Sequence, residues 1–178
     1  MKSQTWVTTS RILALLVVIG LSIFIFSIRD QAEQLGVYGY PGIFLLAFLS
    51  YATVILPAPA VAVVFAMGAV FNPLGVALAA GAGAALGEIT GYLAGFSGQG
   101  IVERVPQYIK LENWMRKYGN PTIFVVSAIP NPLFDVAGAI AGTLRMPVIK
   151  FLFWCWLGET TKMIFFAYSG SSFSNLIG

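Results

Sequence analysis

The sequence predicts an all-α integral membrane protein: an inverted repeat of two re-entrant helical hairpins, each followed by a transmembrane helix, with one further N-terminal transmembrane helix. Three observations carry this. Of 178 residues, 58% are apolar and 10% charged, against roughly 45 to 50% and about 25% in soluble domains. The charges are bunched, which together with a mean hydropathy of +0.84 is the pattern of a polytopic membrane chain. Punctuating residues also recur in order: Tyr38-Gly39-x-Pro41 with Tyr118-Gly119-x-Pro121, Pro57-x-Pro59 with Pro130-x-Pro132, Pro73 with Pro147, and Gly87-Glu88 with Gly158-Glu159. Their offsets are 80, 73, 74 and 71 residues.

Residues 1–34 hold the N-terminal helix and a polar loop. Arg11 and Arg29 bracket an uncharged stretch, Ile12 to Ile28, long enough to span and lacking the small-residue cleavage site of a signal peptide. The remainder, 35–178, is the inverted-repeat domain, with repeat one at 38–98, an amphipathic connector at 99–118 and repeat two at 118–170. In repeat one, Pro41 suits a first helical turn. The apolar arms Gly42 to Ile55 and Ala60 to Phe71 meet at Leu56-Pro57-Ala58-Pro59. Each arm reaches about 20 Å, short of a hydrocarbon core of about 30 Å, so a hairpin that turns inside the bilayer is expected. Leu74 to Gly98 is a full span in which Gly75, Ala79, Gly83, Gly87, Gly91 and Gly95 form one smooth stripe for helix packing.

In the connector, Leu111, Trp114, Met115 and Tyr118 share a face at helical spacing and the charges take the other, the pattern of an interfacial helix. Repeat two has arms either side of Ile129-Pro130-Asn131-Pro132, ends its hairpin at Arg145-Met146-Pro147 and spans from Val148 to Gly170. A hairpin changes no side and a span changes one, so the second repeat starts on the face opposite to the first. With the N-terminus on one side, Lys2, Arg11, Arg104, Lys110, Arg116, Lys117, Arg145 and Lys150 all fall on that side and only Arg29 on the other. That side is expected to be cytoplasmic, with the C-terminus outside. Hairpins that fully crossed would give the same parity.

No histidine occurs, which removes His-centred triads and most zinc or iron centres. The lone Cys155 cannot form a disulfide framework and reads as packing. No phosphate loop, nucleophile elbow or metal-ligand cluster is present, so no catalytic residue, cofactor or metal is expected and the chain does not read as an enzyme. The basic residues serve orientation rather than nucleic acid. Four ionisable residues lie in apolar surroundings: Glu88, Asp135, Glu159 and Lys162. Each costs about 2.5 to 3.5 kcal/mol at a helix centre on insertion scales. Glu88 and Glu159 fall about 21 and 17 Å into their spans, near the midplane. The functional reading has them facing each other or a shared polar cavity, with Asp135 and the tips Pro57, Pro59, Pro130 and Pro132 around it. The structural reading has Lys162 neutralising Glu159 at i, i+3, Glu88 bonded to the first tip and Asp135 capping its own helix. Trp114, Tyr118, Trp154 and Trp156 read as interfacial or lipid-facing anchors.

The stretch Gly83 to Gly95, with Glu88 followed by Tyr92 and Gly95, and the stretch Pro130-Asn131-Pro132-Leu133-Phe134-Asp135 through Gly138, Ala141-Gly142 and Arg145-Met146, resemble the DedA superfamily, also called SNARE-associated or VTT-domain membrane proteins. The resemblance covers roughly Tyr38 to Gly170. It implies two inverted re-entrant hairpins and a role in moving lipids between leaflets, with Glu88 as the family's acidic residue and Tyr92 its companion. Many members have an arginine, a plausible phosphate ligand, where this chain has Ser127; Arg145 is the residue that would substitute as a headgroup contact.

The reading is therefore ATP-independent translocation of phospholipid or polyprenyl-phosphate between leaflets of the cell membrane, by scramblase- or flippase-like movement, with protons as a coupling partner. The lipid path is expected along Glu88, Tyr92, Asp135, Glu159 and the four tip prolines. A proton-coupled transporter of a small solute or ion is the alternative, and a membrane scaffold without transport a second. The chain's end soon after Gly170 makes a homo-oligomer a further expectation, with a second copy closing the groove.

Overall fold

The computed structural model describes residues 36–52, 59–97, 106–130 and 134–177. The helix expected over Ile12 to Ile28 and the tip residues Pro57 and Pro132 lie outside them. Every regular element among the described residues is an α-helix. In chain order these are α1 Gly36–Ala52, α2 Pro59–Gly68, α3 Pro73–Gly87, α4 Ile89–Phe96, α5 Pro106–Tyr118, α6 Asn120–Ala128, α7 Phe134–Thr143 and α8 Val148–Ile177.

Local chemistry sets most of the boundaries. α1 starts earlier than the apolar arm, at Gly36, and takes Pro41 inside it. Pro41 falls in the second turn, where only the bond to the Val37 carbonyl is forfeited. Pro59 opens α2, where its missing N–H has no helical partner to lose. Asn72 caps α3, its Oδ1 accepting from the Leu74 and Gly75 amides at 3.0 and 3.1 Å. Gly119, at φ 67°, turns α5 into α6, a backbone region that favours glycine.

Two results depart from the sequence reading. The first span is interrupted at Glu88, which separates α3 from α4. Pro73–Phe96 is nonetheless the one stretch among the described residues that is long and apolar enough to cross a membrane. The last helix continues past Gly170 to Ile177, because its final turns have partners: Phe173 meets Phe65 of α2 at 5.9 Å and Ser174 is buried.

α3 and α8 form the centre and run antiparallel. Val76 and Ala77 share a cluster with Met163 and Ala167, Gly81 meets Thr160, and Ala85 shares the other cluster with Cys155 and Phe151. The outer helices pack on this pair in a crossed pattern. α1 lies along α3 and α6 along the first half of α8, whereas α2 crosses the second half of α8 and α7 crosses α4.

The close approaches match residue for residue. A side chain at Gly87 would run into the Phe48 carbonyl, the Ala52 nitrogen and the Tyr51 Cβ; one at Gly158 would meet the same atoms of Phe124, Ala128 and Ser127. Gly142 abuts the Tyr92 carbonyl as Gly68 abuts that of Ala167, and Gly95 abuts the Ala139 carbonyl as Gly170 abuts that of Phe65. The helix contacts are accordingly lined by small residues at these points, which lets backbones touch.

The connector helix α5 divides differently from the expected faces. Tyr108, Leu111 and Met115 are buried against the core, while Trp114 and Tyr118 are exposed. Each exposed ring carries a lysine, Lys110 over Trp114 at 5.6 Å and Lys117 over Tyr118 at 5.0 Å. Trp154, expected as an anchor, is only partly exposed and sits edge-on to Phe124 and Phe153; Trp156 also packs on the core.

Candidate functional site

Glu88 stands where the first span breaks. Its backbone remains near helical geometry, at φ −65° and ψ −12°, its N–H donates to the Ala84 carbonyl, and its carbonyl accepts from the Tyr92 N–H. The side chain is buried, and its carboxylate lies against α7: a Cβ at Gly138 would sit 3.1 Å from Oε2. Glycine at 138 therefore makes room for the acid on α7.

Glu159 is fully buried on α8, and Lys162 Nζ donates to its Oε1 at 2.7 Å. The ammonium also lies 5.3 Å from the centre of the Tyr51 ring, within cation–π range. Cys155, one turn before Glu159 on α8, is fully buried and shares a cluster with Ala85 of α3. Ser127 is itself buried and donates to the Ile123 carbonyl at 2.7 Å. Three ionisable groups are thus buried in the bundle, the Glu159–Lys162 pair on α8 with Tyr51 of α1 beside it and Glu88 at the α3–α4 break against α7. Removal from water strengthens every charge interaction there, and buried ions of this kind are retained where they pair or serve a pathway.

Tyr92 has a definite partner. Its hydroxyl donates to the Met146 carbonyl at 2.5 Å, and its ring stacks on Phe151 at 5.2 Å and Phe96 at 6.1 Å. It ties α4 to the turn between α7 and α8. Asp135 is the second residue of α7. Pro59 begins α2, and Pro130 is exposed in the chain after α6.

Arg145 occupies the turn that ends α7. The Arg145 N–H donates to the Gly142 carbonyl at 2.9 Å and the Met146 N–H to the Ala141 carbonyl at 3.0 Å, the paired bonds of a Schellman ending. The first of these two donors, just past the helix end, must be left-handed, and here it is arginine at φ 52°. A side chain in that region costs about 1 to 2 kcal/mol relative to ordinary helical backbone. Its guanidinium lies 5.9 Å over the Phe96 ring.

Tyr51, beside Lys162, is missing from the sequence reading, and Ser127, named there only as the place of the family's arginine, packs against Gly158. Extending the repeat alignment into the first arms pairs them with each other, since both lie one residue before the alanine that touches the Gly-Glu step. The expected single stripe of small residues also splits. Gly83 and Gly87 receive α1, while Gly95 receives α7, because the break at Glu88 turns the later part toward a different neighbour.

Among the described residues a span-length apolar stretch, an all-helical bundle and buried ionisable residues fit an α-helical protein of the membrane type. The family model of the VTT domain matches residues 56–172, and the chain belongs to that family, the DedA-type, SNARE-associated membrane proteins, which is generally not a family of enzymes. No curated protein and no solved structure matches the chain.

Proposed function

We propose that this protein moves phospholipid or polyprenyl-phosphate lipid between the leaflets of the cell membrane, without ATP, the headgroup passing the Glu88 region while the tails stay in lipid. The observation that carries this reading is the burial of Glu88, Glu159 and Lys162 inside an apolar bundle, Glu88 at the break between α3 and α4 against α7 and the other two paired on α8. Its setting supports it: large apolar side chains such as Leu45, Leu49, Phe153 and Phe165 face outward, as suits a lipid surround rather than water.

The matched close approaches of the two halves, with their antiparallel central helices, support inverted repeats. In the proposed orientation the N-terminus and the connector over 99–120 are cytoplasmic and the C-terminus is outside. The path residues are Glu88, Tyr92, Asp135, Glu159 and the tip prolines, with Tyr92 acting by holding the wall in place.

The test is leaflet exchange by the purified protein in liposomes carrying fluorescent phospholipid in both leaflets, with an impermeant quencher added outside. Bleaching beyond the outer-leaflet half is expected, and Glu88→Gln should slow it about tenfold or more while leaving insertion intact. Bleaching that stops at half, with pH-driven solute flux in its place, would instead favour a proton-coupled transporter working through the same carboxylates.

A further inference from the structure

We infer that Thr90 is a positioning residue for the broken span: its hydroxyl fastens the end of α1 to the start of α4 and so holds Glu88 in place on the proposed lipid path. Thr90 Oγ1 lies 2.9 Å from the Gly87 carbonyl oxygen and 3.3 Å from that of Ala52, one donor between an acceptor on its own span and one on α1. Ala52 closes α1, so its carbonyl has no amide partner within the helix, and in apolar surroundings such a group needs a donor from elsewhere. Residues before and after Glu88 thus touch the end of α1: Gly87 abuts the Ala52 nitrogen and the Tyr51 Cβ, and Thr90 reaches the Ala52 carbonyl. Tyr51 carries the connection further, since its ring lies 5.3 Å from the Lys162 ammonium. The last turn of α1 therefore borders both the break that bears Glu88 and the lysine paired with Glu159.

The second half shows the same residues without this task. Gly87-Glu88-Ile89-Thr90 recurs as Gly158-Glu159-Thr160-Thr161. Thr161 donates to the Leu157 carbonyl, four residues back, at 2.8 Å, the ordinary use of a threonine inside a helix, and α8 runs on unbroken. Thr90, two residues past the break, instead donates to the carbonyl three back and reaches across to another helix. A side chain that enters the carbonyl ladder is one of the causes of helix kinks, so this hydroxyl both favours the break and ties it to α1.

The role of Thr90 in transport rests on the translocation reading, but the fastening itself does not, and the two are measured separately. Full-length wild type, Thr90→Val, Thr90→Ser and Thr161→Val are assayed for leaflet exchange in phosphatidylethanolamine–phosphatidylglycerol liposomes. In the same membranes the distance between α1 and α4 is read by electron spin resonance from nitroxides on cysteines placed at the exposed Leu49 and Leu93, in a Cys155→Ala background. Valine keeps the shape of threonine without the donor. Thr90→Val is expected to slow exchange about threefold or more, the scale of one hydrogen bond between membrane helices, and to lengthen or broaden the Leu49–Leu93 distance. Thr90→Ser should restore both, and Thr161→Val should change neither. Exchange and distance both unaffected by Thr90→Val, no recovery in Thr90→Ser, or an equal loss in Thr161→Val would overturn the proposal. Slower exchange at an unchanged distance would put Thr90 on the path itself and equally overturn a positioning role, as would a shifted distance with exchange at the wild-type rate. A distance that depends on the Thr90 hydroxyl in a protein showing no exchange would uphold the fastening and refute translocation instead.

Discussion

Lys162 and Glu159 meet at 2.7 Å with side chains 6% and 0% exposed, and their energetics are those of a buried pair rather than a surface one. Removing one partner strands the other charge, whereas replacing both with apolar groups removes the desolvation cost as well. Glu159→Gln or Lys162→Met alone should therefore destabilise by about 3 to 5 kcal/mol, and Glu159→Leu combined with Lys162→Met should recover most of it. Reversible unfolding in mixed micelles measures this; additive losses in the double variant would refute the coupling. The pair was legible in the sequence because i, i+3 spacing on one helix brings the groups together without further information. Tyr51 was not, since its ring reaches Lys162 only through the packing of α1 on α3 and of α3 on α8. Nor was the turn at Arg145: sequence marks left-handed positions by glycine, and here glycine is absent from the place that needs it.

At the scale of helices, the bundle is held by backbones in contact. Gly158 and Gly142 meet main-chain atoms of α6 and α4 where a Cβ would overlap them, whereas Gly42 has open space around it. Gly158→Ala and Gly142→Ala should each lower stability by about 1 to 3 kcal/mol by forcing helices apart. Gly42→Ala should be neutral or stabilising by up to about 1 kcal/mol through helix propensity. Thermal unfolding of the three variants checks the contrast, and a similar loss in Gly42→Ala would remove the role assigned to close packing. Helix starts were readable from Asn72-Pro73 and Gly119-Asn120-Pro121 because caps and prolines act locally. The end of α8 was not, because Gly170, which could mark a stop, instead admits the carbonyl of Phe65, a use that depends on a helix far away in sequence. The grouping of Leu111 and Met115 with the exposed Trp114 and Tyr118 on one face of α5 failed for a related reason. Helical spacing gives the angle of a side chain, but the depth at which α5 docks decides which angles are covered.

For the molecule as a whole, the proposed arrangement has hairpins that turn back inside the membrane, the first from outside and the second from the cytoplasm. Single cysteines at Ala58 and Asn131, in a Cys155→Ala background, should react with an impermeant thiol reagent from outside and from the cytoplasmic side respectively. Labelling with the sides exchanged would mean that the arms cross the bilayer instead. The order of the repeat was visible in its prolines and Gly-Glu steps, but its spacing needed contacts to interpret. From Gly87, which receives the first arm, to Tyr92, which receives the opposite one, is five residues; from Gly158 to Ala167 is nine. The four extra residues make about one helical turn, and Lys162 lies in the lengthened stretch after Glu159. The first half is divided into two helices there and the second is one continuous helix. The halves are consequently no longer interchangeable. Two first halves would join a pair of acids at helix breaks with no lysine among them, and two second halves a pair of unbroken helices each already neutralised along its own length. Only the unlike combination unites a carboxylate at a helix break with a buried ion pair, so a symmetric ancestor doubled from either half would have had a different centre from the one this chain possesses.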